Sequence, residues 1–375
     1  MRQKLSNKIS IVIPTYKEAA NIAVICLELH KVLTDQSMDY EIVIIDDNSQ
    51  DGTESEVSIL QTQGIAVELI IRKAQRGLSS AVLDGIDATQ GDIVVVMDAD
   101  LSHPCATIPQ MVVKLTDNQA DFVIGSRYIA GGSFDHSWGW ARLLNSKVAT
   151  WLARLLVRVK DPMSGFFAFR KVDAPARHLL SPIGYKIGLE LMVKGRKVFR
   201  RIAEVPIHFQ DRQRGNSKMS FIEQLKYLRH LRRLYAHAYP TLSEITQFAL
   251  VGSIGFTIDL LLYFTLQTAF GLSHLTARGL SFWGAASCNW ILNRVLTFSH
   301  YQKTPRLEQW LLFLVSSLVG FTISWGSYTV MTLNIGFFME FKILALFLGV
   351  VLGMGFNFVF CQNIVFKPLQ QKEIS

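Results

Sequence analysis

The sequence predicts two fold classes in one chain of 375 residues: an α/β domain on a largely parallel sheet, then an all-α bundle that crosses a membrane. Two observations carry this. Between Ile9 and Met97, short apolar β-branched runs alternate with stretches of helical period, the pattern of strands joined by crossover helices. Between Ile245 and Phe366, four apolar runs each reach the length that spans roughly 30 Å of hydrocarbon. Half of all residues are apolar and mean hydropathy is +0.25, above that of an ordinary soluble protein, while most of the charge lies before residue 240.

The elements of the first domain follow in order. Ile9–Pro14 reads as a strand, Ala19–Leu33 as a helix, and Tyr40–Ile45 as a second strand that ends in Asp46-Asp47-Asn48-Ser49. Gly52-Thr53-Glu54 opens a helix, Ala66–Ile71 is a third strand, Leu78–Ala88 a helix and Asp92–Met97 a fourth strand. Parallel sheets bind ligands at the carboxyl ends of their strands. Three such ends carry polar clusters: Pro14-Thr15-Tyr16-Lys17-Glu18, Asp46-Asp47-Asn48-Ser49 and Asp98-Ala99-Asp100. No G-x-G-x-x-G follows the first strand, which disfavours a dinucleotide fold.

A net charge of +8 and a pI near 9.3 admit nucleic acid, anionic lipid or phosphate-bearing partners. No nucleic-acid-binding motif is present, so membrane and phosphate are preferred. Cys26, Cys105, Cys288 and Cys361 show neither C-x-x-C nor zinc spacing and read as reduced structural thiols. Met1–Lys8 leads into a short strand rather than into a signal peptide's apolar core, which predicts a cytosolic first domain.

The chemistry centres on Met97-Asp98-Ala99-Asp100-Leu101-Ser102-His103-Pro104. Residues i and i+2 of a strand share a face, so Asp98 and Asp100 can converge on one hard cation, Mg2+ or Mn2+, of the kind that clamps a diphosphate. Asp46-Asp47-Asn48-Ser49 has a plainer reading as a turn with a helix cap.

These motifs, at this spacing, make the chain resemble family 2 glycosyltransferases. Within them it looks like the polyprenyl-phosphate (dolichyl-phosphate) mannose synthases, over about residues 8–220. Later blocks also match: Gly125-Ser126-Arg127-Tyr128, Asp161-Pro162-Met163-Ser164-Gly165-Phe166, and Asp211-Arg212 through Gly215-Asn216-Ser217-Lys218. The resemblance implies a GT-A fold with a Rossmann-like mixed sheet, a nucleotide-sugar donor, a divalent metal and inversion at the anomeric carbon. It assigns Pro14, Tyr16 and Glu18 to the nucleoside pocket and Ile45 and Asp47 to base and ribose. Asp98, Ala99 and Asp100 face donor and metal. Ser102 stands where many relatives carry Gln at a metal position, and a hydroxyl is the shorter, weaker ligand. Arg127, Arg212 and Lys218 fall to the donor and its phosphates, and Arg142 with Ser146 to the acceptor phosphate. The catalytic set is then Asp100, Arg127, Arg142 and Ser146.

A polyprenyl phosphate is already anionic, so it needs positioning more than deprotonation, and the departing diphosphate needs neutralising charge. Arg suits forked phosphate contacts and Lys point-charge neutralisation. Arg158, Lys160, Arg170 and Lys171 read as solvated surface charges. The implied reaction transfers a hexose, with mannose from GDP-mannose favoured, to a dolichyl or undecaprenyl monophosphate at the cytosolic membrane face. A UDP-glucose or UDP-N-acetylhexosamine transferase is the alternative enzyme, and a lipid-linked-sugar translocator with a recognition domain the alternative of another class. Sugar, base, lipid length and any homo-oligomer stay open.

Two basic amphipathic helices suit the bilayer surface, with a core-facing helix and a solvated basic side the alternative, equally open for the first; the second, directly before a membrane run, is expected at the interface. In Ala141–Val159, Leu144, Val148, Trp151, Leu152, Leu155 and Val159 oppose Lys147, Arg154 and Arg158. In Ser220–Tyr235, Phe221, Leu225, Leu228 and Leu231 oppose Lys226, Arg229, Arg232 and Arg233. The expected division is 1–218 for the GT-A domain, 219–240 for interface helix and linker, and 241–375 for a four-helix transmembrane domain. Its spans fall at about 245–270, 275–298, 310–333 and 341–366. His300, Lys303, Arg306, Lys367 and Lys372 place both termini in the cytosol. Gly255-Phe256-Thr257-Ile258 recurs as Gly320-Phe321-Thr322-Ile323, and Asn289-Trp290 is echoed by Asn357-Phe358, an offset of about 65–68 residues. This half resembles the GtrA-like membrane family and implies a pseudo-twofold pair of hairpins. Asp259 inside the first run is a functional candidate, whereas Asn289 and Asn293 read as helix-to-helix glue.

Overall fold

The computed structural model describes residues 8–74, 76–134, 140–181, 183–210, 221–299, 301 and 305–366, without the side chains of 140–146 and 221–223. Two compact units divide at Ala238/Tyr239.

The first unit runs β1 (Ile9–Thr15), α1 (Ala19–Asp35), β2 (Tyr40–Asp46), α2 (Thr53–Thr62), β3 (Val67–Ile71), α3 (Leu78–Ala88), β4 (Ile93–Val96) and α4 (Ile108–Thr116). It continues with β5 (Phe122–Ser126), β6 (Ser133–Phe134), α5 (Trp140–Arg154), β7 (Phe167–Arg170), α6 (Ile187–Lys194), β8 (Ile202–Pro206), β9 (His208–Phe209) and α7 (Phe221–Ala238). Seven strands form one sheet in the order β3-β2-β1-β4-β7-β5-β8, with β6 and β9 paired apart. All neighbours in the large sheet are parallel except β7, which is antiparallel to β4 and β5. The sheet is therefore mixed and parallel-dominant, as expected.

Side-chain alternation explains its two covered faces. Ile11 and Ile13 pack on one side with Ile22, Ile25, Leu29, Met111 and Leu115 of α1 and α4. Val12 points to the other side, with Leu83, Phe122, Phe167, Leu189 and Leu231. The order also places a switch point between β1 and β4, because β2 and β3 extend one way from β1 and β4 starts the other.

The buried face of α7 differs from the expected leucine stripe. Tyr227, Leu231, Leu234 and Ala238 are buried, whereas Leu225 and Leu228 are about half exposed. Hydrogen bonds select that face: the Tyr227 hydroxyl donates to the Ala149 carbonyl at 2.8 Å and the Tyr235 hydroxyl to Leu152 at 2.7 Å. These bonds clamp α7 onto α5, so the helix is part of the first unit's core.

The second unit contains α8 (Pro240–Thr268), α9 (His274–Leu292), α10 (Arg306–Asn334), α11 (Gly336–Glu340) and α12 (Lys342–Phe360). Three helices among the described residues, Pro240–Thr268, Arg306–Asn334 and Lys342–Val365, are long and apolar enough to cross a membrane. The remaining expected run falls on α9, which continues through a π turn to Thr297 and is not among these three. Its apolar run is interrupted by Arg278, whose guanidinium pairs with Asp259 of α8. The sequence reading singled out Asp259 and missed its partner.

The internal repeat is visible in the packing. Both α9 and α12 end in a π turn, Asn293–Thr297 and Cys361–Val365. The phenylalanines that follow, Phe298 and Phe366, stack at 4.6 Å between ring centroids. Gly255 abuts Asn289, and Gly320 abuts Asn357 and the Gly353 carbonyl. Polar pairs cross between the hairpins: Gln362 donates to Glu244 at 2.9 Å, and Arg294 donates to Gln309. Asn357, the repeat counterpart of Asn289, accepts from Ser316 and so ties α12 to α10. Asn289 Oδ1 is buried without a partner, because Val251 stands at the position corresponding to Ser316.

Candidate active site

Three loops leave the adjacent carboxyl ends of β2, β1 and β4. Four non-glycine residues in these loops adopt positive φ: Lys17 at 60°, Asn48 at 56°, Gln50 at 51° and Leu101 at 62°. Such backbone costs of order 1–3 kcal/mol and concentrates where ligands are clamped.

Hydrogen bonds tie the loops together. Lys17 N donates to Ser49 Oγ at 2.8 Å, Ala19 N to Asp51 Oδ2 at 3.1 Å and Asp47 N to the Thr15 carbonyl at 3.1 Å. Asp46 accepts from Ser49 N and Oγ, and so follows the turn-capping reading. Asp47 does something else. It accepts from Arg72 Nη1 at 2.6 Å and from Gly77 N at 2.7 Å, while Arg72 also reaches Ser80 and Asp84. Arg72, unremarked in the sequence, thereby folds the loop after β3 toward the β2 end. Its signal in the sequence is a basic residue directly after β3, at the carboxyl end of a strand neighbouring β2. Gly77 sits at φ 135°, a conformation that only glycine adopts readily. Arg76 lies over the Tyr16 ring at 5.2 Å. Pro14 and Ile45 are buried at the strand ends, while Tyr16 and Glu18 are half-buried on the loop that follows.

The strand β4 stops at Val96, so strand alternation does not set the geometry of Asp98 and Asp100. A bend with Leu101 in the left-handed region does. Asp100 is buried, and its Oδ1 accepts from Ser102 Oγ at 2.5 Å and Ser102 N at 3.2 Å. The Ser102 hydroxyl proton is thus committed to orienting Asp100. Asp98 is half-buried, and buried Ala99 separates the two acids. His103 accepts from Asp98 N through Nδ1 at 3.1 Å, so its ring proton sits on Nε2, 4.0 Å from Asp98 Oδ2. Burial holds this imidazole below its ordinary pKa and keeps it neutral, between Phe166 and Phe209. A side chain at Gly165 would come within 3.3 Å of Asp98 Oδ2. The glycine leaves room beside the carboxylate.

Arg127 follows β5 and grips Asp161 through Nε and Nη2 at 2.7 and 2.8 Å. Asp161 is fully buried and also accepts from Arg127 N at 3.1 Å. Lys186 completes this side and was not anticipated. Its ammonium donates to the Met163 carbonyl at 2.6 Å, and burial, followed by the Arg127 charge, pushes its pKa down to about 8. It feels Asp98 and Asp161 as well. Arg142 and Ser146 lie one turn apart on α5, with side chains outside the description, and Arg212 and Lys218 lie outside the described residues.

Two adjacent carboxylates beside a glycine gap suit a hard divalent cation. No third His, Cys, Asp or Glu joins them in a metal-holding group among the described residues. Such a cation keeps positions for water and substrate oxygens.

A mixed, parallel-dominant sheet of seven strands with an acid pair just after its central strand is a GT-A glycosyltransferase frame. Residues 10–172 match Glycosyl transferase family 2, and residues 247–366 match the GtrA/DPMS transmembrane domain. The chain is 33% identical over 364 residues to dolichol-phosphate mannosyltransferase of Pyrococcus furiosus, covering 95% of this chain and 99% of that one. It is 40% identical to the Mycosarcoma maydis dolichol-phosphate mannosyltransferase over 62% of this chain and 80% of that protein. Glucosyl-3-phosphoglycerate synthase of Mycobacterium tuberculosis, solved with Mn2+, UDP and glucosyl-3-phosphoglycerate, aligns at a TM-score of 0.46 and 22% identity, over 62% of this chain and 80% of that one. The chain belongs to the family 2 glycosyltransferases, in the type represented by dolichol-phosphate mannosyltransferase with a GtrA/DPMS membrane domain.

Proposed function

We propose that this membrane enzyme transfers mannose from GDP-mannose to a polyprenyl monophosphate, with inversion at the anomeric carbon. The observation that carries the reading is the meeting of Asp98 and Asp100 with Arg127 and Lys186 at one end of the sheet. Acids without cations would hold a metal alone, and cations without acids a bare phosphate. Together they suit a metal-bound diphosphate leaving group.

Asp98 and Asp100 would hold Mg2+ or Mn2+, which when bound supplies neutralising charge to the diphosphate. Ser102 keeps the Asp100 carboxylate oriented, and neutral His103 does the same for the Asp98 backbone. Tyr16 and Arg76 offer a stacking surface for the nucleoside, and Asp47 with Arg72 frames that pocket. The acceptor's phosphate oxygen attacks the anomeric carbon as the bond to the nucleoside diphosphate breaks. No proton moves, because nucleophile and leaving group are both anions. Arg127, held by Asp161, and Lys186 face the developing charge. Arg142 and Ser146 on α5 are assigned to the acceptor phosphate, and Arg212 and Lys218 to the donor.

The described surface supports a bilayer-facing first unit. Val148 and Trp151 of α5, Leu155 just after it, and Leu225 and Leu228 of α7 are exposed apolar side chains on two helices that pack together. We assign 1–218 to catalysis, 219–240 to the interface and 241–375 to the membrane, with both termini cytosolic. Incubating the purified protein in lipid with GDP-mannose, UDP-glucose or UDP-N-acetylglucosamine, and with dolichyl or undecaprenyl phosphate, tests the reading. Mannolipid from GDP-mannose alone is expected. Transfer from a UDP-sugar and not from GDP-mannose would overturn the sugar assignment.

A further inference from the structure

The first unit contains a basic cavity that shares Arg76 with the proposed nucleoside surface and continues to a row of α7 cations that the transfer chemistry leaves unexplained. Its volume is about 560 Å3, and it opens beside the N-terminus of α3. Arg76, Ser79 and Tyr185 line one side, and Lys226, Arg229 and Arg233 of α7 the other; no aspartate or glutamate among the described residues lines it. The three α7 cations sit at i, i+3 and i+7, one face of the helix, where like charges repel unless an anion offsets them. Arg229 and Arg233 have no carboxylate partner among the described residues. The N-terminus of α3 adds the positive end of an 11-residue helix.

A second observation points to a ligand. Ser79 is 2% exposed and its Oγ has no hydrogen-bond partner, although it stands in the cavity wall. Its amide is already given to the Gly184 carbonyl, so the hydroxyl is the group left to bind something. A buried hydroxyl without a partner costs about 1–3 kcal/mol, which a bound oxyanion would relieve.

We propose that this cavity binds a phosphate group, and that its source is the headgroup of an anionic phospholipid. Leu225 and Leu228 are exposed immediately beside Lys226 and Arg229, the arrangement of a helix lying in an anionic interface. Ala238 ends α7, and membrane-length α8 begins at Pro240. A headgroup held here would anchor the first unit to the bilayer surface through a defined contact rather than by diffuse attraction alone.

The test uses the full-length protein, delipidated in neutral detergent and titrated with phosphatidylglycerol while bound lipid is counted by native mass spectrometry. Phosphatidylglycerol is expected to bind more tightly than phosphatidylcholine and to weaken as salt rises. Arg229→Gln and Arg233→Gln should each weaken binding about tenfold, the value of one charge-assisted hydrogen bond. Ser79→Ala should weaken it less. The melting temperatures of the two arginine variants should match the parent, since both residues are exposed. Inorganic phosphate that binds and is lost in the same variants, with no phosphatidylglycerol bound, supports the phosphate site and moves its source to solution. Equal phosphatidylglycerol binding by parent and variants, no binding of either probe, or selective binding of polyprenyl phosphate would overturn the proposal.

Discussion

Lys186 offers the sharpest test of how the site holds charge. Its pKa is pushed down to about 8, first by burial and then by Arg127. In the free enzyme the ammonium is then about nine-tenths protonated at pH 7 and about one-tenth at pH 9, so kcat/KM for the donor should fall about tenfold over that interval. The drop belongs in kcat/KM rather than kcat, because a bound diphosphate stabilises the ammonium and raises its pKa again. Steady-state rates at subsaturating nucleotide sugar, across pH 6.5 to 9.5, roughly bracket the transition. Lys186→Arg keeps its charge throughout and should flatten the alkaline limb, whereas Lys186→Met should be slow at every pH. Unfolding driven by Lys186 itself runs the other way. A lysine depressed from 10.5 to about 8 leaves the unfolded chain binding more protons between those values. The Lys186 contribution to stability therefore rises with pH as activity falls. An alkaline limb of unchanged position and depth in Lys186→Arg would refute the assignment.

Three further outcomes follow from the packing. Asp161→Asn should cost about 3–5 kcal/mol, because it leaves the Arg127 guanidinium buried beside a neutral amide; denaturant unfolding in detergent checks this, and a loss below about 1 kcal/mol would show that the pair is not structural. Gly165→Ala places a methyl group 3.3 Å from Asp98 Oδ2 and should weaken the apparent metal affinity by about 10- to 100-fold with the fold intact, read by Mg2+ and Mn2+ titration of activity. Val251→Thr should stabilise the membrane unit by about 1 kcal/mol, since its hydroxyl takes the place that Ser316 holds for Asn357 and gives Asn289 a partner. An unchanged or lowered melting temperature in detergent would count against that repeat-based pairing.

Local pattern and motif spacing made much of the protein legible. Ile9–Pro14, Tyr40–Ile45 and Leu78–Ala88 were bounded to within a residue or so, because β-branched runs between polar breaks leave the backbone few alternatives. The three polar strand ends did come together at the switch point of the sheet. The membrane repeat was visible as well, since Gly and Asn recur wherever helices must approach closely.

What the sequence by itself determined is therefore everything with a local period or a fixed motif: the alternating α/β domain, the acid pair after β4, and the repeated apolar hairpins. Tertiary structure decided which partners the charged groups take. Asp47 turned to Arg72 across 25 residues, Arg127 to Asp161 across 34, and Asp259 to Arg278 across 19. It also decided that α7 buries Tyr227 and Leu234 rather than Leu225 and Leu228, and that Lys186 lies among the site's charges. The reason is common to all of these. A helical period marks more than one apolar stripe, and a charge carries no mark of its partner, so the choice is made only when distant segments pack and burial makes an unpaired group costly.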